Sequence, residues 1–157
     1  MKVLTLWQPW ATLVAIGAKK IETRSWQTQY RGPLLIHAGA SFPPKIKKHI
    51  CMKEPFHSVL EKWNQSLGDK AASDFRTILP LGKIVCRVDL VDIKSTDSLN
   101  AWHLGLSHQE AAFGDYGENR YGWFFANVKP LAEPIPFKGR QCISWIADDV
   151  LPKEVCA

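Results

Sequence analysis

Apolar positions along the chain fall into short runs of two spacings. Lys2-Val-Leu-Thr-Leu-Trp7 reads as a short strand, and Pro9 then opens a helix over Trp10-Ala-Thr-Leu-Val-Ala-Ile16 that Gly17 ends. Lys20-Ile-Glu-Thr-Arg-Ser-Trp26 predicts a second strand, whose two-residue period puts Glu22, Arg24 and Trp26 on one face and Ile21, Thr23 and Ser25 on the other. Arg31-Gly-Pro33 is a turn signal, and Leu34-Leu-Ile-His-Ala38 has the apolar density of a buried strand.

From Pro43 to Leu79 the pattern is helical, in two or three pieces broken at Pro55 and Gly68, until Pro80-Leu-Gly82 turns the chain back toward a sheet. The clearest strand follows, where Ile84, Cys86, Val88 and Leu90 alternate with Val85, Arg87, Asp89 and Val91. Ser107-His-Gln-Glu110 is a capping-box pattern for a short helix that Gly114 ends, so Glu110 reads first as a structural cap. Two further strands, Tyr121 to Val128 and Gln141 to Ala147, flank a predicted loop from Pro130 to Gly139, in which Glu133-Pro-Ile-Pro136 is extended and irregular. About six short strands without regular crossover helices argue against a doubly wound parallel sheet. They predict an α+β fold: a small mixed or antiparallel barrel with a helix after the first strand and helical insertions, about 43–79, between the third and fourth.

Composition narrows this picture without changing it. A chain of 157 residues, 46% of them hydrophobic, fits one domain spanning 1–157 that needs neither disulfide nor metal to hold its core. The apolar start is broken by Gln8 and Pro9 and is too short for a signal peptide, and no segment reaches the roughly 18 apolar residues of a membrane span, so a cytoplasmic protein is expected. Cys51, Cys86, Cys142 and Cys156 are scattered, without zinc-ligand spacing, and predict reduced thiols, with Cys86 and Cys142 packing as small hydrophobes.

Charge does change the picture. The net charge of +5 is unevenly spread: residues 1–50 hold eight Lys or Arg against one acid, Glu22, whereas the other 107 residues hold twelve against fourteen. Such a bias favours a polyanionic partner, although Lys45, Lys47 and Lys48 also fit a solvated helix face. The densest candidate chemistry is Gly17-Ala-Lys-Lys-Ile-Glu-Thr-Arg24, where an acid and an arginine project from one strand face beside Lys19. Arginine offers a planar fork of donors and glutamate accepts from amino groups, so the pair suits a ligand with both donor and acceptor edges; a surface ion-pair cluster is the plainer account.

Gly17-x-Lys19-x-x-Glu22-x-Arg24 resembles the G-x-K-x-x-E-x-R signature of the ASCH domain, a branch of the PUA-like superfamily. Leu6-Trp-Gln-Pro-Trp-Ala11, Arg31-Gly-Pro-Leu-Leu-Ile-His-Ala38, Phe113-Gly-Asp-Tyr116, Arg120-Tyr-Gly-Trp123 and Glu133-Pro-Ile-Pro-Phe-Lys-Gly-Arg-Gln141 are similar to family segments in the same order, from about Val3 to Ala147. The resemblance implies a β-barrel with a cleft beside the first helix, for RNA or a modified nucleoside. Lys19, Glu22 and Arg24 would line the cleft, and Gln8, Pro9 and Trp10 would stand at its mouth. One of Trp7 and Trp10 is expected to bare a face for base stacking, while His37 reads as a core histidine. Asp115, Glu118, Asn119 and Arg120 form one candidate contact loop and Lys138, Arg140 and Gln141 another, with loop solubility an equal account of both.

Some ASCH-like proteins are amidohydrolases that remove an acyl group from cytidine, using the motif lysine and a threonine three residues on. Here Lys19 matches the lysine and Glu22 replaces the threonine, a neighbour that opposes deprotonation of Lys19. Lys19 and Glu22 are thus catalytic candidates only if the chain is an enzyme. No H-x-E, H-E-x-x-H or clustered-carboxylate pattern predicts a metal site, and no cofactor is implied; a metal-dependent ribonuclease would need Asp115 and Glu118 to converge on Glu22. A protein-interaction adaptor is the remaining alternative.

Overall fold

In the computed structural model, which describes residues 1–98, 105–140 and 142–156, strand β1 (Lys2–Leu6) runs parallel to β3 (Gly32–Ala38) and antiparallel to β6 (Ile143–Trp145). Strands β4 (Lys83–Ser95) and β5 (Tyr121–Pro136) extend the sheet beyond β3, and β2 (Ile21–Arg24) closes its far edge, giving the order β2-β5-β4-β3-β1-β6. Every pairing except β1 with β3 is antiparallel. The chain gets from β1 to the opposite edge through helix α1 (Trp10–Ala15), which packs against β3, β4 and β5.

Alternation along the strands sorts the core into layers. Leu4, Leu6, Leu34, Ile36, Val88, Leu90 and Trp123 face α1 and bury its Ala11 and Val14. Val3 and Leu35, of opposite parity, and Ile84, turned over by the register shift at Val85, face the other side, where Leu151 and Val155 of the C-terminal segment cover them. Leu13, on the far side of α1, joins Cys51, Phe56, Leu60, Phe75, Leu79 and Phe113 in a third cluster under the helical insertion. All of Ala11–Ala15 is therefore buried, and α1 is a central element, not a surface one. At roughly 1.5–3 kcal/mol for each fully buried aliphatic side chain, this layering holds the surrounding loops on a rigid frame. Gly17, at φ +74°, ends α1 in the left-handed region that glycine enters without strain.

The insertion between β3 and β4 comprises a π-helical turn over Ile46–Ile50, helix α2 (Phe56–Ser66) and two short 3-10 turns at Gly68–Lys70 and Phe75–Thr77. It breaks at Pro55 and Gly68, as the sequence predicts. Helix α3 (His108–Ala112) begins at Ser107, whose Oγ accepts from the Glu110 amide at 3.1 Å.

The Pro130–Gly139 loop is a correction. Strand β5 continues without a break to Pro136, pairing Pro130 with Cys86 and Pro136 with Lys83 through register shifts. Proline is tolerated there because β2 covers only Tyr121–Phe124, so the rest of β5 leaves one edge unpaired and loses no ladder bond on that side. Strand β6 is shorter than predicted, and Gln141 lies outside the described residues.

Candidate functional site

A cleft of about 1060 Å³ opens where the end of β2, the Gly39–Ser41 segment after β3, the Gly114–Asp115 turn and the Phe137–Arg140 segment meet. Glu22 and Arg24 lie together in its wall because β2 turns alternate side chains to one face. Arg24 Nη2 donates to the Thr5 carbonyl at 2.6 Å. Its Nε lies 3.3 Å from Glu22 Oε1 yet is buried without a hydrogen bond of acceptable direction, so one guanidinium donor is left unsatisfied.

Lys19 sits behind this pair. It is fully buried, and its Nζ donates to the carbonyls of Ile21 at 2.5 Å and Phe113 at 3.0 Å. Glu22 Oε2 stands 3.6 Å from the same nitrogen and Glu110 Oε1 4.0 Å. Burial draws the Lys19 pKa below the ordinary lysine range, while Glu22 and Glu110 oppose the shift. Every neighbour named is an acceptor, so the surroundings suit an ammonium with its three donors engaged. Lys19 is not among the residues that line the cleft, contrary to the expectation from the family pattern.

The Glu110 side chain is not the reciprocal cap of α3 that the sequence pattern predicts. Its carboxylate accepts from the backbone amides of Lys20 at 2.8 Å and Ile21 at 3.1 Å, which ties α3 to the start of β2. The capping-box pattern locates the helix start, but this glutamate reaches across to a strand.

Gln8 and Pro9 are buried and lie behind the cleft, not at its mouth. Gln8 Nε2 donates to the Pro80 carbonyl at 2.8 Å, and its Oε1 accepts from the Thr12 amide at 3.2 Å, so the side chain ties α1 to the turn before β4. Trp10 lines the cleft, but half-buried, with Nε1 donating to the Phe113 carbonyl at 2.9 Å and its ring edge-on to Phe56. Trp7 is the tryptophan with a bare face: it is 54% exposed and lines the cleft.

Asp115 and Arg120 both line the cleft. Arg120 Nη2 donates to the Thr23 carbonyl at 3.1 Å, its Nε lies 3.4 Å from Asp115 Oδ2, and the Asp115 amide donates to Thr23 Oγ1 at 3.1 Å. Glu118 and Asn119 are exposed and do not line it. Lys138 and Arg140 are exposed and line it too, on either side of Gly139. Among the described residues no three His, Cys, Asp or Glu side chains gather as metal ligands would.

His37 also lines the cleft. Its Nδ1 shares a 3.0 Å hydrogen bond with Thr5 Oγ1, while Nε2 is buried without a protein partner. Burial lowers its pKa, outweighing the opposing effect of the Phe137 backbone. Gly139 packs so closely that a Cβ there would come within 2.3 Å of the imidazole. Thr5, Phe56 and Phe137 also line the cleft, and nothing in the sequence pattern assigns them to it. Phe56 and Phe137 reach the cleft from segments whose direction no local pattern encodes.

A curled six-stranded sheet with one parallel pair, a helix packed on its inner face and a polar cleft at one end defines an α+β half-barrel of the PUA-like class. Within that class the chain belongs to the ASCH domain family, whose model matches residues 4–135. It is 50% identical over 145 residues to human activating signal cointegrator 1 and 27% identical over 145 residues to the mouse protein of the same name. Each match covers 92% of this chain but 22% of the relative, so the chain spans about a fifth of their length. The fold is also that of the ASCH protein from Zymomonas mobilis, with a TM-score of 0.51 at 14% identity over 94% of this chain and 88% of the other. A mutant form of that protein gives 0.52 at 14% identity, over 94% and 91%.

Proposed function

We propose that the cleft binds RNA or a modified nucleoside through the edge of its base. The observation that carries this reading is the Glu22–Arg24 pair, in which a carboxylate acceptor and a guanidinium donor group, both partly exposed, stand side by side in the cleft wall. A nucleobase with an exocyclic amino group beside a ring nitrogen or carbonyl, as in cytosine, presents the complementary donor and acceptor. Trp7 supplies an apolar face on which such a base stacks. The cleft volume is at the upper end of the range typical for small-ligand sites and leaves room for more than a base.

Lys19 argues against acyl hydrolysis. An amine that attacks or deprotonates a substrate has to reach it, and Nζ lies out of the cleft with its donors spent on two carbonyls and two carboxylates. A protein-partner role, suggested by the word cointegrator in the names of the relatives, would leave nucleosides and RNA without effect.

Calorimetric titration of the protein with cytidine, N-acylated cytidine and a short single-stranded RNA, with chromatography of the nucleosides afterwards, separates these readings. Saturable binding that Glu22→Gln and Arg24→Gln each weaken at least tenfold, with the nucleoside recovered intact, is the expected result. Release of the acyl group would make the chain a hydrolase, and no binding by any of the three would remove the nucleobase reading.

A further inference from the structure

We infer that His37 is a positioning residue of the cleft: its uncharged ring pins the Phe137–Arg140 segment and, through Thr5, the Arg24 guanidinium, and uptake of a proton by that ring unseats both. The effect on a ligand rests on the nucleobase reading; the movement of the wall does not. Thr5 and His37 are register neighbours on β1 and β3. Both polar groups of Thr5 that face the site are committed, the hydroxyl in the 3.0 Å bond shared with His37 Nδ1 and the carbonyl in the 2.6 Å bond from Arg24 Nη2. A histidine two bonds away therefore helps to fix where the arginine points.

The Phe137–Arg140 segment lies directly on the same ring. Phe137 meets the imidazole edge-on with 5.4 Å between centroids, and its amide donates to the Gly82 carbonyl at 3.0 Å. Gly139 sits where any Cβ would overlap Nδ1, Cε1 and the Thr5 hydroxyl. All four residues of the segment line the cleft, so one wall of the site is seated on a histidine that is only 2% exposed.

Such a seat suits a neutral ring. Nε2 is buried without a hydrogen bond, and a charge on the ring is favoured by the Phe137 backbone but opposed, more strongly, by burial. The charged side chains of the surrounding elements do not offset that cost. Arg24 of β2, Lys83 of β4 and Lys138 and Arg140 of the segment are themselves cations, while Glu22 stands against Arg24 and Lys19 and Asp115 against Arg120. A protonated His37 gains solvation when the segment lifts and admits water. The wall is accordingly seated at neutral pH and lifts only in acid, below the 6.5 of an ordinary histidine.

The test follows the His37 ring and the backbone amides together by NMR from pH 7.5 to pH 5, with exchange rates corrected for the intrinsic effect of pH. Protection of the Phe137 amide is expected to fall about tenfold or more as the ring titrates, while the amides of β3 keep theirs. His37→Gln, which does not titrate, holds Phe137 protection level across the range. Gly139→Ala, whose added methyl overlaps the ring, is expected to show the unprotected level already at pH 7.5, and circular dichroism checks that both variants are folded. In parallel calorimetry the affinity for cytidine falls with the same midpoint, by at most about tenfold per pH unit for one proton, and His37→Gln loses that dependence. The inference is overturned by a ring that titrates while Phe137 protection stays level, by one that does not titrate before the protein unfolds, by an equal loss of protection in His37→Gln, or by a cytidine affinity indifferent to the titration. Loss of protection as the ring titrates, with no cytidine bound at any pH, would remove the nucleobase reading and leave the response of the wall standing.

Discussion

The Lys19 ammonium stands 3.6 Å from the Glu22 carboxylate, yet only Glu22 reaches the cleft. One residue is fully buried and the other half-buried, so the cation works as a foundation that fixes where the acid points. Lys19→Met keeps most of the volume but removes the Nζ bonds to the Ile21 and Phe113 carbonyls, the second of which keeps only Trp10 Nε1, and puts Glu22 and Glu110 in a site with no cation between them. Removing one partner of a buried ionic cluster costs about 3 kcal/mol or more, and urea denaturation is expected to show a loss of that size. A change within about 0.5 kcal/mol, as at ordinary surface sites, would mean that the cage contributes nothing.

How far the site was legible from the sequence follows from the range of the forces involved. The two-residue period of β2 placed Glu22 and Arg24 together because strand geometry is local, and both line the cleft; Thr23 of the other face, with Ser25 and Trp26 beyond the strand, lines it as well. The same local logic missed that Lys19 lies beneath them, since its burial depends on Phe113 and Glu110, some ninety residues away. It also assigned Gln8 and Pro9 to the mouth, because nothing in Leu6-Trp-Gln-Pro-Trp shows that Gln8 reaches back to Pro80. The long β5 escaped because its prolines argue against a strand unless one edge is known to be unpaired, and pairing is a property of the whole sheet.

Trp7 and Trp10 separate recognition from packing. Trp7→Ala is expected to cost little stability, since the ring is already half in solvent, and to weaken nucleoside or RNA binding by the roughly 1–3 kcal/mol of one stacked base, about 5- to 150-fold in Kd. Trp10→Phe instead loses the Nε1 bond to the Phe113 carbonyl and is expected to lower stability by about 1 kcal/mol. Parallel titrations and thermal melts check both, and unchanged affinity in the Trp7 variant would remove that ring from the site.

His37 makes folding sensitive to acid. Burial holds its folded pKa below the usual 6.5, so as the pH falls through 6.5 the unfolded chain takes up a proton that the folded chain resists. Stability is therefore lost below about pH 6.5 until the folded pKa is reached, and regained as the pH rises. The difference in melting temperature between pH 7.5 and pH 5.5 is expected to shrink in His37→Gln, which keeps a polar group beside Thr5 but does not titrate. An identical pH profile in the two proteins would show that the imidazole is not the group responsible.

The four cysteines provide a footprint of the cleft that needs no substitution. Cys51 and Cys86 are buried, and burial pushes the Cys51 thiol up to about 11 and that of Cys86 higher still, so neither offers thiolate to an alkylating agent at neutral pH. Cys142 and Cys156 are both exposed, but only Cys142 lines the cleft; Cys156 lies in the C-terminal helix α4 (Lys153–Cys156). Iodoacetamide on the native protein is thus expected to label Cys142 and Cys156 and to spare the other two, as read by mass spectrometry of the digested chain. A saturating ligand in the cleft then slows labelling of Cys142 while Cys156 keeps its rate, an internal control against nonspecific protection. Equal slowing at both thiols, or at neither, would place the ligand elsewhere on the surface.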